Sequence, residues 1–454
     1  MKISNLVALA ALFTGGSILA QDAIPEADAA DGGPPAAVTK NGFHVYQVSG
    51  SAGYSTVSGF LGGGSDFRQL GCDCYGVGAV TTGYSHTGPV NRFDVVYTPS
   101  YSNYYGLTGL QGFNQNMQVV FESRFSAKWK FSFVATAEDS SVVEFALQPT
   151  NALSGGQDLG TFVNTTMSAV TPGQTLLYGG RVFSTGGRTG LTYRPTTRFR
   201  ILFEGGFFQS ETRSGGSGQG GNNLGYVIPR ARFENVNMNA TYSLSPRTEV
   251  GGEVSLLEYH TVLGDYRATV VAGTYARKLS RQWSVYGEAG VGTYTPTSTP
   301  AGLPKISLAG SQFTTGLSLG YHGRENSFIT SYHRMAGDLY GLASSSSQSV
   351  ESMWKWHEAD RKWSTALTLD YQRLTGGPLG DGANWQASAV LTRELSRRLS
   401  MSLSYGYLRS SLGSLGPVAA YNNNLSAQVA RLTFIFVPVP TQLRNGGPVG
   451  GGQP

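Results

Sequence analysis

The residues able to do chemistry here are scattered charges rather than a compact motif. Arg188, Arg194, Arg200, Arg230 and Arg232 recur through one stretch of alternating residues, and Glu249, Glu253 and Glu288 follow it. Guanidinium and carboxylate groups on opposite walls of a narrow aqueous gap create a field that sorts ions and solutes by charge. Glu144 and Asp158 lie in the long segment 139–174 and would face the arginines if that segment folded inward. The plainer alternative is that Arg and Glu on neighbouring strands pair across the wall and stiffen it.

Other chemistry is thinner. Glu258, His260 and Asp265 surround one connection and could form an acid–histidine pair, as a hydrolase would need, but no nucleophile is marked by its context. His333 and His357 stand isolated in the sequence. Tyr104 and Tyr105 in "YSNYYGL" could stack on sugar rings or simply pack a loop. Cys72 and Cys74 in "GCDCYG" are too few for a disulfide framework, and they read as a small disulfide or half of a metal site. With no histidine or second cysteine pair nearby in sequence, no metal or other cofactor is expected, and the chain reads as a non-enzyme. Its positive charge is mild and diffuse, which does not suggest a nucleic-acid partner.

The elements that must position these groups are strands. In "LTRELSRRLSMSLSYGYLRSS", Met401, Leu403, Tyr405 and Tyr407 fall on one side of an extended chain, and Ser400, Ser402, Ser404 and Gly406 on the other. Phe199, Ile201, Phe203 and Phe207 likewise oppose Arg198, Arg200 and Glu204. Phe313, Leu317, Leu319 and Tyr321 oppose Thr314, Ser318 and Gly320, and Trp363, Leu367, Leu369 and Tyr371 oppose Ser364, Asp370 and Gln372. Short basic connections such as "RPTTR", "LSPR", "KLSRQ", "HGREN" and "ELSRR" read as hairpin turns. They alternate with long Gly/Ser-rich ones, "FLGGGSDFRQLG", "RSGGSGQGGNNLG", "LASSSSQS" and "TGGPLGDGAN" among them. Trp129, Trp283 and Trp363 stand at hairpin shoulders, where an interfacial aromatic girdle would place them.

A membrane-spanning sheet must close on itself, because lipid offers its backbone no partners. Its apolar row then meets lipid, and its serines and glycines line a hollow. The expected fold is an all-β transmembrane antiparallel barrel of about 18 strands, or about 16 if weak early segments merge, with short turns at one end and long loops at the other. Residues 1–20 read as a signal peptide, 21–41 as a disordered periplasmic leader, 42–438 as the barrel and 439–454 as a Pro/Gly-rich tail.

With those features assembled, the chain resembles the Gram-negative outer-membrane β-barrels, most nearly the porin-like ones. The resemblance is architectural, covers roughly residues 43–438, and extends to the last strand, "LSAQVARLTFIFVP". There Leu432, Phe434 and Phe436 resemble the C-terminal signal read by the barrel-assembly machinery, although the chain continues past them. The resemblance implies a passive channel for small polar solutes, with a weak anion preference drawn from the arginines. It also implies outer-membrane lipid and lipopolysaccharide as surroundings, and a homo-oligomer as one possible state. A barrel that exports or anchors a surface polysaccharide is the second reading, and a barrel hydrolase the third.

Overall fold

The structure is a computed structural model that describes residues 41–58, 72–105, 112–141, 181–212, 230–261, 264–298, 310–336, 346–359, 362–377, 380–412 and 424–438. Every described element is a strand or its turn. In chain order the strands are β1 (Gly42–Ser58), β2 (Cys72–Thr87), β3 (Asn91–Tyr104), β4 (Gly112–Arg124), β5 (Trp129–Ser141) and β6 (Arg181–Tyr193). There follow β7 (Phe199–Thr212), β8 (Arg230–Ser245), β9 (Thr248–Thr261), β10 (Gly264–Lys278), β11 (Trp283–Ser298) and β12 (Gly310–His322). The last six are β13 (Asn326–Ala336), β14 (Ser346–His357), β15 (Trp363–Gly377), β16 (Gly380–Ser396), β17 (Leu399–Leu412) and β18 (Asn424–Phe436). Each pairs antiparallel with its sequence neighbours, and β1 closes on β18 from Val48↔Phe436 to Ser58↔Ser426. The result is a closed 18-stranded barrel without an edge, which satisfies the expected count.

The two faces are sorted as the alternation requires. Outside stand Phe203, Phe207, Val271, Phe313, Leu317 and Leu403, all exposed. A water-soluble sheet would hide such side chains, whereas a lipid-facing wall presents them. Inside, Ser55, Ser184, Ser210 and Ser318 are fully buried, so small polar residues occupy the row that turns away from lipid. Irregularities are few. β1 shifts register between Val45 and Gln47, and the extra residue, Tyr46, is buried with its hydroxyl 2.8 Å from Ser85 Oγ.

The short-turn end carries an aromatic belt. Trp129 stacks on its cross-strand partner Tyr193 with ring centroids 4.3 Å apart, and Trp283 meets Tyr321 at 4.9 Å. Arg393 lies 4.9 Å above the Trp363 ring. Flat amphipathic rings at this level suit the lipid headgroup zone. At the other end one connection is tighter than its composition suggests. "TGGPLGDGAN" reads as a long loop, yet Gly377 pairs with Gly380 and strands occupy nearly all of it. Its glycines serve a hairpin reversal. Segments 1–40 and 439–454, and the loop 142–180 with Glu144 and Asp158, lie outside the described residues.

Candidate functional site: the inner wall

Register settles which charges share the inner face. On β6 and β7 the even-numbered residues point inward, so Arg188, Arg200 and Glu204 line the wall. Arg188 forms an ion pair with Glu204, and Arg200 Nε donates to Thr241 Oγ1 at 3.3 Å. Arg194 follows the last residue of β6, at the short-turn rim, where its amide donates to the Lys128 carbonyl at 2.8 Å.

One further member of the expected basic ladder stands elsewhere. On β8 the odd-numbered residues point inward, Phe233 and Asn237 being buried while Val236 and Met238 are exposed. Arg232 therefore stands on the outer face and pairs with Glu234 there. Arg230 is the first residue of β8, and its side chain lies outside the described side chains. The expected ladder is corrected at Arg232, which faces outward, while Arg188 and Arg200 line the inner wall.

The acids fare differently. Glu249, Glu253 and Glu288 all face inward, as expected. Glu249 accepts from Ser243 Oγ at 3.1 Å near the short-turn end. Glu253 is buried and accepts from Ser255 Oγ at 2.9 Å and Asn239 Nδ2 at 3.3 Å. Glu288, also buried, accepts from the Tyr286 hydroxyl at 3.4 Å. Glu138, Glu351 and Asp370 join them on the inner face, also buried. No lysine or arginine is among the buried residues described. Around much of the circumference the inner wall is thus an acidic arc, interrupted by the Arg188–Glu204 pair.

Within this arc, β9 to β13 form a pocket. Its lining brings Glu253, Glu288, His333 and Arg334 together with the hydroxyls of Ser255 and Thr314 over an apolar floor of Leu257 and Val270. Toward the loop end, rings from four adjacent strands form a continuous row, Phe233–Tyr259–Tyr266–Tyr294, with centroids 4.7, 4.4 and 4.8 Å apart and the middle pair stacked. All four rings are buried. Sequence reading missed this row of rings, although Tyr259, Tyr266 and Tyr294 each occupy a polar-row position where an aromatic is out of pattern. Tyr104, named from the sequence, stacks on Tyr75 at 5.1 Å and is fully buried, while Tyr105 is exposed.

The remaining candidates lie apart from the arc. His260 Nδ1 and Asp265 Oδ1 are 3.2 Å apart, so the expected acid–histidine pair forms, but on the outer face. Glu258 is held by Arg267 instead of completing it. His357 Nδ1 lies 3.2 Å from the Glu358 carbonyl at the short-turn end. Cys74 is a free, exposed thiol on the outer face, which corrects the expected Cys72–Cys74 disulfide. In extended backbone, residues two apart have Cα atoms about 6.6 Å apart, at the far limit of disulfide reach. Among the described residues no group of three His, Cys, Asp or Glu side chains is arranged to hold a metal ion. Leu432, Phe434 and Phe436 are exposed on the outer face of the closing strand.

No protein-family model matches this chain, and no curated protein does. Among solved structures it is similar to Pseudomonas aeruginosa OccK2 (OpdF) in complex with glucuronate, at 11% identity and a TM-score of 0.41 over 87% of this chain and 98% of that one. It is also similar to Pseudomonas aeruginosa OpdQ, at 10% identity and a TM-score of 0.43 over 87% and 99%. Acinetobacter baumannii OccAB4 shows 8% identity and a TM-score of 0.43 over 87% and 98%. Closed without an edge, apolar outside and polar within, the chain has the build of an outer-membrane β-barrel.

Proposed function

We propose that this barrel is an outer-membrane channel for passive diffusion of small hydrophilic solutes, and that its inner wall favours cations. Barrels of this strand number are wide enough to enclose an aqueous lumen. The observation that carries the charge preference is the inner acidic arc, Glu138, Glu204, Glu253, Glu288, Glu351 and Asp370, all buried. The arginines alone suggested a weak anion preference, but Arg232 faces outward and Arg188 is matched by Glu204. Arg200, Lys355 and Arg334 also stand at the inner wall, but the buried carboxylates outnumber them, and charge on a narrow aqueous wall concentrates the opposite ion.

The partners that accompany this reading are outer-membrane lipid, lipopolysaccharide and the barrel-assembly machinery, which would read Leu432, Phe434 and Phe436. The row of aromatics at the loop end favours the second reading, a barrel that guides a polysaccharide, since sugars pack on rings. Their burial leaves little face for such contact.

The test is the full chain in a planar bilayer under a salt gradient. Stable open steps with a reversal potential of the cation-selective sign support the channel and its preference. A barrel that stays closed removes the channel, and an anion-selective potential removes the preference.

A further inference from the structure

We propose that Glu351, Asp370 and the flanking amides of β14–β16 form a binding site for a divalent cation of the calcium type. Glu351 on β14 and Asp370 on β15 are direct cross-strand partners on the inner face. Such partners have Cβ atoms about 5 Å apart, and like charges there destabilise a sheet. Both residues are buried, so water does little to screen that repulsion.

The neighbours add oxygen acceptors rather than positive charge. Glu351 Oε2, Asp370 Oδ1 and Asn384 Oδ1 are buried and have no hydrogen-bond donor. Asn384 sits opposite Gln372, two residues beyond Asp370. Gln372 is itself only 4% exposed, and the Nε2 end of its amide is also without a partner. The two ends of an amide are interchangeable by a half-turn, which would offer the site a neutral oxygen in place of that nitrogen. Lys355, the next basic residue on the inner row of β14, is four positions from Glu351, about 13 Å along the strand.

Two carboxylates with amide oxygens and no sulfur or imidazole make a hard-cation donor set. Calcium accepts irregular oxygen shells completed by water, which suits a site on the wall of an aqueous lumen. A single divalent ion also balances both negative charges, whereas an organic ammonium is too bulky for groups so deeply covered. The proposal rests on the fold alone and is independent of whether the barrel conducts.

The experiment uses the full chain refolded in detergent, free of lipopolysaccharide, stripped with a chelator and titrated with calcium chloride by calorimetry. Thermal unfolding is followed in parallel. One ion per barrel is expected, with a melting temperature that rises with calcium. Glu351→Gln with Asp370→Asn should abolish both effects, and Asn384→Ala should weaken binding several-fold without loss of fold. The proposal is overturned if wild type binds no calcium, which would mean the two acids share a proton. Equal binding by wild type and Asn384→Ala, together with a folded double variant that still binds, would overturn it as well.

Discussion

Glu288 on β11 and His333 on β13 meet across a strand whose residue between them, Gly316, has no side chain to separate them. A Cβ on Gly316 would stand 3.1 Å from His333 Nδ1 and 3.4 Å from Glu288 Oε2. The missing atom is therefore what leaves room in the wall pocket. Gly316→Val should crowd both side chains at an overpacking cost of about 1–3 kcal/mol. In a bilayer, the variant should show a smaller unit conductance and weaker cation preference. An unchanged single-channel record would mean that solutes do not pass this pocket.

Removing acids from the arc should act on selectivity more than on folding. Glu253→Gln with Glu288→Gln keeps shape and hydrogen-bonding capacity while deleting two negative charges from the lumen. A wall charge near a permeating ion is worth about 1 kcal/mol in a water-like medium. The cation-to-anion permeability ratio, read from reversal potentials, should fall by roughly fivefold per charge.

The arginines divide by face, and that division is measurable. Arg188→Gln releases Glu204 from its pair and should raise cation preference. Arg232→Gln, on the outer wall beside Glu234, should leave the reversal potential where it is. A shift from the Arg232 variant as large as that from Arg188 would contradict the register of β8.

Lipid-facing and lumen-facing positions should differ sharply in their tolerance of charge. Val271→Arg places a guanidinium in the apolar band and should cost about 2–4 kcal/mol near the membrane midplane. Thr392→Arg, on the inner row where Thr392 now donates to Ser402 Oγ at 3.3 Å, should cost far less. Denaturant unfolding from lipid vesicles compares the two directly.

The closing seam gives a further expectation. Phe436 pairs with both Val48 and Leu399, and the strand ends there. Truncation after Pro438 should leave a barrel that still migrates anomalously on an unheated denaturing gel. Phe436→Ala with Phe434→Ala should slow its assembly into membranes if the assembly machinery reads those rings.

Alternation made the barrel and its strand number legible, because a period of two held over a dozen residues fits an extended strand with two unlike faces and little else. The phase came out correctly along β6 and β7, as for Arg188, Arg200 and Glu204. It was lost across long connections. The even-numbered arginines of β6 and β7 face in, but parity changes between β7 and β8, so Arg232 falls on the other row. Nothing in a sequence says how many residues such a loop spends. A different limit hid the Glu351–Asp370 pair. Each residue sits unremarkably on a polar row, and only the hairpin register sets them side by side. The segment 375–384 misleads for a different reason, since glycine and proline serve a tight reversal as well as a long loop.

One consequence of β1 closing on β18 concerns the life of the chain before it is a wall. The seam joins the first strand of the barrel to its last, Val48 with Phe436 and Ser58 with Ser426. Until the last strand has been made, the first has an open side, and no shorter nascent piece can shield its amides from lipid. Ribosome-paced folding, piece by piece, is thereby denied to this molecule. It has to travel as an unfinished string and be completed all at once at its destination.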